Sequence, residues 1–194
     1  MLNAKKIVRL QAEATRVWHA DAEMPAEGEF DALVVEQHRA NYELWHEEDK
    51  ARDPEVIGAE MVRIKRAIDT LNQRRNDLME QIDEALLREA GEQRAEAPLH
   101  SETPGMMIDR LSILELKRFH TAEEIARQDR DEQHARRNRE RLAVLNEQRD
   151  DLAEALDALW RDVMSGKRRF KLYRQMKMYN DPELNPVLYR GRAT

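Results

Sequence analysis

Apolar residues recur at alternating spacings of three and four along two long segments of this 194-residue chain. Such a stripe must be buried against a partner helix with a left-handed crossing. The first stripe consists of Ile57, Met61, Ile64, Ile68, Leu71, Arg75, Leu78, Ile82 and Ala85. The second consists of Leu142, Leu145, Arg149, Leu152, Leu156, Leu159 and Val163. The pattern predicts an all-α fold, an antiparallel bundle of long helices.

Capping and helix-breaking residues divide the chain into helices and loops. The boundaries are marked by Asn3, Asp53-Pro54, Gly91, Thr103-Pro104 and Ser165-Gly166. They predict helices over about 4–19, 30–52 and 54–90, another beginning at 104, and a further long helix ending at 165–166, with a polar linker over 91–104. A capping-box spacing at 121–124 predicts that the helix beginning at 104 breaks or bends there.

The two long helices resemble each other. Aligned without gaps, Leu71–Leu86 and Leu145–Trp160 share seven of sixteen residues, including Arg75 and Arg149. This similarity predicts two related helical hairpins, over about 30–90 and 105–166, followed by a short carboxyl-terminal helix. All of residues 1–194 are expected to form a single domain.

Composition excludes several classes of function. The net charge of −6 disfavours nucleic-acid binding by the whole surface, and the absence of cysteine excludes disulfides and thiolate metal sites. The longest apolar run, 32–35, is far too short to span a membrane, so we expect a soluble cytoplasmic protein. A phosphate-cradling glycine loop and a nucleophile elbow are both absent from the sequence. Whether the chain is an enzyme stays open, with a non-catalytic role favoured.

Two arginines interrupt the apolar stripes at matching positions. A buried guanidinium is costly unless it is neutralised, so Arg75 and Arg149 each require a partner. The favoured interpretation is a carboxylate from another helix, which fixes the register of the bundle. The alternative is an anionic ligand held between the two arginines.

Candidate partners lie on a polar stripe of the second helix and at the start of the fourth. The predicted anion or buried polar site comprises Glu48, Asp49, Arg52, Arg75, Asp109, Arg110 and Arg149. Accessory candidates are His38, Asn41, Trp45, Ser112, Tyr173 and Lys177. A polar stripe is usually solvated, but the large aromatic ring in its middle favours partial burial.

Metal chemistry has little support in the sequence. Six histidines occur, yet only Glu43-x-x-His46 has the spacing of a ligand pair, so no metal site is predicted. Residues 80–83 and 154–157 resemble one of the two Mg²⁺-binding elements of all-α nucleotide pyrophosphohydrolases, but the other element is missing. No cofactor is therefore expected, and Mg²⁺ enters only if the chain is an enzyme.

The segment 167–177 is basic, with aromatic residues between the charges. This composition is typical of RNA-binding segments. Leu172, Met176 and Tyr179 also have helical spacing, which would let the segment dock on the acidic bundle. Docking is the favoured interpretation.

Several strings together resemble a bacterial family known as domain of unknown function 4254. They are residues 44–52 (LWHEEDKAR), 72–77 (NQRRND), 108–113 (IDRLSI) and 179–182 (YNDP). The resemblance spans most of the chain and implies that these polar strings are the signature of the family. It also implies a link to surface-glycan biosynthesis, and hence to sugar nucleotides or glycosyltransferases.

Three functions follow from these patterns. The first is a non-catalytic module that binds a partner protein or assembles with itself. The second is a protein or enzyme that binds a phosphorylated or nucleotide-linked small molecule. The third is RNA binding through the basic segment, and nucleic acid is the least favoured partner.

Overall fold

The computed structural model describes residues 2–174, 176 and 183–186 of the chain. Within them lie five α-helices: α1 (Ala4–Trp18), α2 (Glu29–Lys50), α3 (Gly58–Ala90), α4 (Pro104–Ala126) and α5 (Glu132–Met164). The described residues contain no β-strand, so the all-α prediction is confirmed. None of these helices has an apolar stretch long enough to cross a bilayer.

The helices pack chiefly as two pairs, α2 with α3 and α4 with α5. Helix α1 lies against α2, α4 and α5 and so joins the pairs. Helices α2 and α4 contain 22 and 23 residues, and α3 and α5 each contain 33. Two related hairpins would have such matched lengths, although duplication itself stays a prediction.

The core lies where α1 and α2 meet α4 and the carboxyl-terminal halves of α3 and α5. Its buried residues include Ile7, Val34, Ile82, Leu86, Ile108, Leu111, Leu156, Trp160, Val163 and Phe170. The stripes extend beyond this core. Ile57 is 77% exposed, and Leu142 and Leu145 are only half-buried. The amino-terminal halves of α3 and α5 are therefore less well covered than a continuous seam would be.

Three of the predicted helix boundaries have the expected capping. Asn3 Oδ1 accepts a hydrogen bond from Lys6 N at 2.8 Å, and Thr103 Oγ1 accepts one from Met106 N at 3.2 Å. Gly91 follows α3 with a positive φ of 66°, which only glycine adopts without strain. Local capping chemistry thus sets these helix ends.

Two local predictions were wrong. Helix α3 begins at Gly58 rather than at Pro54, because Asp53 Oδ1 accepts from Glu55 N at 2.9 Å and holds a separate turn there. Helix α4 runs through 121–124 without a break, and Thr121 Oγ1 donates back to Lys117 O at 2.6 Å within the helix. The cap for the next helix comes instead from Asp131.

The short helix expected after α5 is absent from residues 167–174, which are not helical. The backbone there pairs with the linker: Arg169 N donates to Pro98 O at 3.1 Å, and Arg169 O accepts from His100 N at 2.8 Å. Phe170 is 1% exposed, and its backbone N and O both bond to the Gln93 side chain. These long-range bonds take the place of helical ones. Residues 167–174 nevertheless dock on the bundle, but through Phe170 rather than Met176, which is 85% exposed; Tyr179 lies outside the described residues.

Candidate functional site

A network of polar side chains runs through the contact between α1, α2, α3 and α4. Those on α1, α2 and α4 have relative exposures of 4% or less. The members are Gln11 and Thr15 on α1, Gln37, His38 and Asn41 on α2, Arg75 on α3, and Asp109 and Ser112 on α4. Because a buried polar group is costly unless it is hydrogen-bonded, this network fixes how the four helices meet.

Asp109 lies at the centre of the network. Its Oδ1 accepts hydrogen bonds from Arg75 Nε at 2.7 Å, Gln37 Nε2 at 2.6 Å and Asn41 Nδ2 at 2.9 Å, and its Oδ2 accepts from Arg75 Nη2. A two-point contact is the strongest arrangement of guanidinium and carboxylate. The hydrogen bonds to Asp109 raise the pKa of Arg75 above its usual value. Arg75 thus meets the expected carboxylate from another helix.

A second branch of the network passes through a fully buried histidine. Asn41 Nδ2 donates to Ser112 Oγ at 2.9 Å, which leaves the serine hydroxyl free to donate to His38 Nδ1 at 2.7 Å. His38 Nε2 then donates to Thr15 Oγ1 at 2.8 Å, and Thr15 donates to Gln11 O at 2.9 Å. This direction requires a neutral imidazole, and burial indeed lowers the pKa of His38 to about 3.

The Ser112–His38 pair resembles the first two members of a catalytic triad. Both side chains, however, have an exposure of 0%. A substrate cannot approach Ser112 Oγ in this arrangement, so the pair is part of the packing. Its chemistry is that of a buried hydrogen-bond chain.

Six of the predicted site residues line one cavity of about 260 Å³ beside this network. They are Asn41, Trp45, Glu48, Asp49 and Arg52 on α2, and Arg75 on α3. Leu44, Ile113 and Leu116 complete the wall. Because Arg75 also bonds to Asp109, it connects the cavity to the buried network.

The charges at the rim of the cavity are paired with one another. Arg52 Nη2 lies 3.3 Å from Glu48 Oε2, and Arg52 Nη1 lies 3.7 Å from Asp49 Oδ1. Arg52 Nη1 also donates to Glu48 O at 2.6 Å. The side chains of all three are well exposed, at 42–67%. Such exposed ion pairs contribute roughly 0–1 kcal/mol and are easily exchanged for a ligand.

The remaining candidates lie elsewhere. Arg110 Nη1 bonds to Glu102 Oε1 at 2.6 Å on the outer side of α4. Tyr173 is exposed and belongs to the non-helical segment after α5. Lys177 lies outside the described residues. The structure therefore does not bring Arg110 or Tyr173 into the cavity.

Arg149 departs from the prediction made for it. It is half-buried, but its Nε bonds to Asp150 Oδ1 at 2.7 Å, a neighbour on its own helix. The nearby α4 carboxylate, Glu115, is instead hydrogen-bonded by Arg118, whose Nε also donates to Asn146 Oδ1 at 2.6 Å. The two repeat arginines therefore have different environments, and they do not face one ligand.

Three histidines from different parts of the chain form a second cluster. His19 directly follows α1, His46 is on α2 and His120 is on α4. One ring nitrogen of each lies within 4.8 Å of one from each of the others, and the ring centroids are 5.2–5.9 Å apart. The Nε2 atoms of all three are buried without a hydrogen-bond partner among the described residues.

The other ring nitrogens of two of these histidines are hydrogen-bonded. His19 Nδ1 donates to Thr15 O at 2.8 Å, because a carbonyl oxygen can only accept. His120 Nδ1 donates to Glu123 Oε2 at 2.7 Å. In a neutral ring, each Nε2 then carries a free lone pair. Burial, followed by the charges of His19 and His120, lowers the pKa of His46, which favours its neutral form.

Sequence reasoning missed this cluster and predicted no metal ligands. The three histidines, His19, His46 and His120, are distant along the chain and lie on separate elements. No local spacing in the sequence therefore indicates the cluster. The nearest signal was His46 within the string 44–52. Only the packing of α1 and α4 on α2 brings the rings together.

Comparison with known proteins gives a family without a function. No curated protein and no solved structure shows significant similarity to the chain. One family model, described as "Protein of unknown function (DUF4254)", matches residues 31–172. That range contains α3 to α5, all but the first two residues of α2, and most of both sites described above. The chain therefore belongs to the DUF4254 family of proteins of unknown function.

Proposed function

We propose that this chain is a helical binding protein whose cavity between α2, α3 and α4 takes a small anionic molecule. One observation carries the proposal: Arg75 lines the cavity while Asp109 holds its guanidinium in place. Arg75 uses Nε and Nη2 for that contact, and its Nη1 has no hydrogen bond within the described residues. A preorganised donor costs little further entropy on binding.

The size and lining of the cavity limit what it admits. Ligand sites for drug-sized molecules usually span about 300–1,000 Å³, and this one is about 260 Å³. Leu44, Ile113 and Leu116 supply an apolar wall, and Trp45 supplies a flat aromatic face. A sugar phosphate or a small organic acid suits these dimensions. A nucleotide sugar would place only one end inside.

Arg52 would supply the second cation for such a ligand. Its ion pairs with Glu48 and Asp49 are solvent-exposed, so they contribute little to stability and can be exchanged for an anion at the cavity mouth. The two carboxylates would then be free to accept hydrogen bonds from ligand hydroxyls. They would also be the ligands for Mg²⁺ if the anion were a phosphate and the protein an enzyme.

Thermal-shift measurements test the proposal, with inorganic phosphate, sugar phosphates and nucleoside diphosphates as probes, each with and without Mg²⁺. A ligand at a hundred times its Kd stabilises a protein by about 2.7 kcal/mol. For a chain of this length, that raises the Tm by about 5–11 °C. Arg75→Met and Arg52→Met should each abolish the shift.

Arg149→Met is the matched control, because Arg149 occupies the equivalent repeat position but lies outside the cavity. It should keep the ligand-induced shift of the wild type. If no anion raises the wild-type Tm, or if Arg149→Met loses the shift as fully as Arg75→Met, the anion site is wrong.

Self-association is a second candidate function, favoured by apolar side chains that are exposed near the amino-terminal end of α3 and in the amino-terminal half of α5. Ile57 and Val62 on the amino-terminal side of α3 are 77% and 49% exposed, and Val144 on α5 is 52% exposed. A second copy of the chain would cover these side chains. Sedimentation velocity would then give a dimer for the wild type and a monomer for Val62→Glu. A wild-type monomer at all concentrations would exclude it.

RNA binding is not retained as a proposal. Arg174 bonds to Glu80 and Glu84 at 2.9 and 2.8 Å, and Arg168 lies 3.4 Å from Asp162. These contacts engage basic side chains that an RNA phosphate would need. They support docking of the segment on the acidic bundle.

A further inference from the structure

We infer that His19, His46 and His120 form a binding site for a divalent transition metal of the zinc type. The inference goes beyond the proposed anion cavity and rests on different ligating residues, although Trp45 borders both sites. A three-histidine set supplies the ligand type and number found in open, four-coordinate zinc sites. The fourth position would be taken by water or by an external ligand.

Within the described residues, the Nε2 atoms of His19, His46 and His120 lack the hydrogen bonds that buried polar atoms normally make. Buried polar atoms in folded proteins nearly always have a hydrogen-bond partner, so one orphan needs an explanation. Here the Nε2 atoms of all three histidines are buried, and none has a hydrogen-bond partner in the part of the chain that the structure describes. A metal ion would satisfy all three at once, whereas a packed imidazole cluster would leave them unpaired.

Hydrogen bonds from the other ring nitrogens orient the imidazole rings of His19 and His120. Metal-bound histidines usually donate their other ring nitrogen to a carbonyl or a carboxylate, which fixes the tautomer and the direction of the lone pair. His19 has the carbonyl partner, Thr15 O, and His120 has the carboxylate partner, Glu123. Both rings are thus prepared to bind a metal through Nε2.

The neighbouring side chains hold the cluster in shape. Trp45 stacks on His120 with ring centroids 5.0 Å apart and an interplanar angle of 11°, and Phe119 stacks on His19 at 4.1 Å. Tyr42 lies edge-on to His46 at 4.5 Å. An aromatic wall of this kind limits solvent access and orients the ligands, as the surroundings of metal sites commonly do.

The donor set selects the metal. Zn–N bonds of about 2.0–2.1 Å in a tetrahedron place the nitrogens about 3.3 Å apart. The ring nitrogens lie within 4.8 Å of one another, so each ring must turn or shift by no more than about an ångström. Imidazole favours Zn²⁺, Cu²⁺, Ni²⁺ and Co²⁺ over Mg²⁺ and Ca²⁺, which prefer oxygen.

The metal-free 194-residue chain is titrated with Zn²⁺ in competition with a chromophoric chelator, and separately with Co²⁺ followed by visible absorption. We expect one ion per chain and the intense d–d bands of four-coordinate cobalt. His46→Gln and His120→Gln should each weaken Zn²⁺ binding by about a hundredfold or more. His100→Gln should leave Zn²⁺ binding unchanged, since His100 lies in the linker and bonds to Glu102 O.

Glu123→Gln tests whether Glu123, which accepts a hydrogen bond from His120, positions that ring for metal binding. Glu123 is exposed, so this variant should fold normally, and loss of an outer-shell carboxylate typically weakens metal binding 10–100-fold. Its cobalt spectrum should still be four-coordinate. Circular dichroism checks the fold of each variant, and the wild-type stoichiometry and spectrum stand independently of any variant. Failure of the wild type to bind one Zn²⁺, a six-coordinate cobalt spectrum, or equal loss in His100→Gln would overturn the inference.

Discussion

Arg75 on α3 and Asp109 on α4 meet in a two-point contact, with Nε 2.7 Å from Oδ1 and Nη2 bonded to Oδ2. The carboxylate side chain is 5% exposed and the arginine side chain 23%. One partner is therefore held in the interior while the other reaches the cavity wall. The pair joins the two hairpins, because α3 belongs to the first and α4 to the second.

Arg75→Ala should destabilise the protein by about 3 kcal/mol. Removing one partner of a buried pair leaves an uncompensated charge, which typically costs about 3–5 kcal/mol. The lower end is expected because Gln37 and Asn41 still donate to Asp109. Urea unfolding measures the change. A loss below about 1 kcal/mol would contradict the burial argument.

Arg149→Ala should cost no more than about 1 kcal/mol under the same conditions. Its hydrogen-bonded partner, Asp150, is 67% exposed and remains solvated when the arginine is removed. The two variants together test whether the repeat positions have diverged. Equal losses would show that the environments are alike after all.

The stability of the protein should depend on pH through His38 and Asp83, with opposite signs. The pKa of His38 is about 3 in the fold and 6.5 when unfolded, so its contribution is present above pH 6.5 and is lost as the pH falls toward 3. Burial raises the pKa of Asp83 from 3.8 to about 6, so its contribution is present below pH 3.8 and is lost as the pH rises through 6. Between pH 4 and 6 the two largely cancel.

Single substitutions separate these two groups. His38→Gln should make stability fall with rising pH between 4 and 6, relative to wild type, by about 1.4 kcal/mol per pH unit. Asp83→Asn should give the opposite slope. Chemical denaturation across that range provides the measurement, and parallel curves for all three proteins would refute the assignments.

Gly105→Ala should destabilise the protein, although alanine is normally the better helix former by about 1 kcal/mol. A Cβ at Gly105 would lie 2.5 Å from Met79 O and 2.9 Å from Asp83 Cγ, and the backbone oxygen cannot move aside easily. Overpacking of this kind typically costs about 1–3 kcal/mol. A thermal midpoint equal to or above that of wild type would show that α3 and α4 can separate at no cost.

Phe170→Ala should cost about 3–5 kcal/mol, as is typical for a buried phenylalanine. Tyr173→Ala is the matched control three residues further on. Since Tyr173 is 38% exposed, it should change stability by less than about 1 kcal/mol. Similar losses would mean that the segment after α5 does not pack as described.

Local features such as helix caps could be predicted from the sequence, whereas most contacts between helices could not. Asn3 and Thr103 were correct as caps because a cap depends on residues three positions apart. Asp53-Pro54 has the same local chemistry, but a separate turn claims the aspartate. Five cavity residues were found because α2 presents them together on its polar side, and Arg75 was found because it interrupts an apolar stripe.

The features that could not be predicted are those created by contacts between helices. Arg149 shares its local pattern with Arg75, yet Arg118 takes the α4 carboxylate that lies near it. His19, His46 and His120 are brought together by three separate elements, so their spacing carries no signal. The fully buried Gln37 and Gln11 likewise look like surface residues until their partners are known.

The pairing of Arg169 with Pro98 and His100 has a consequence for folding. These residues flank α4 and α5, so the bonds close that hairpin into a loop tied at its base. The entropy of loop closure grows only slowly with length, so even a few backbone bonds suffice when Phe170 is buried beside them. The hairpin of α4 and α5 should then open as one cooperative unit. Its slowest-exchanging amide protons should all exchange together, once the bonds of Arg169 to Pro98 and His100 break.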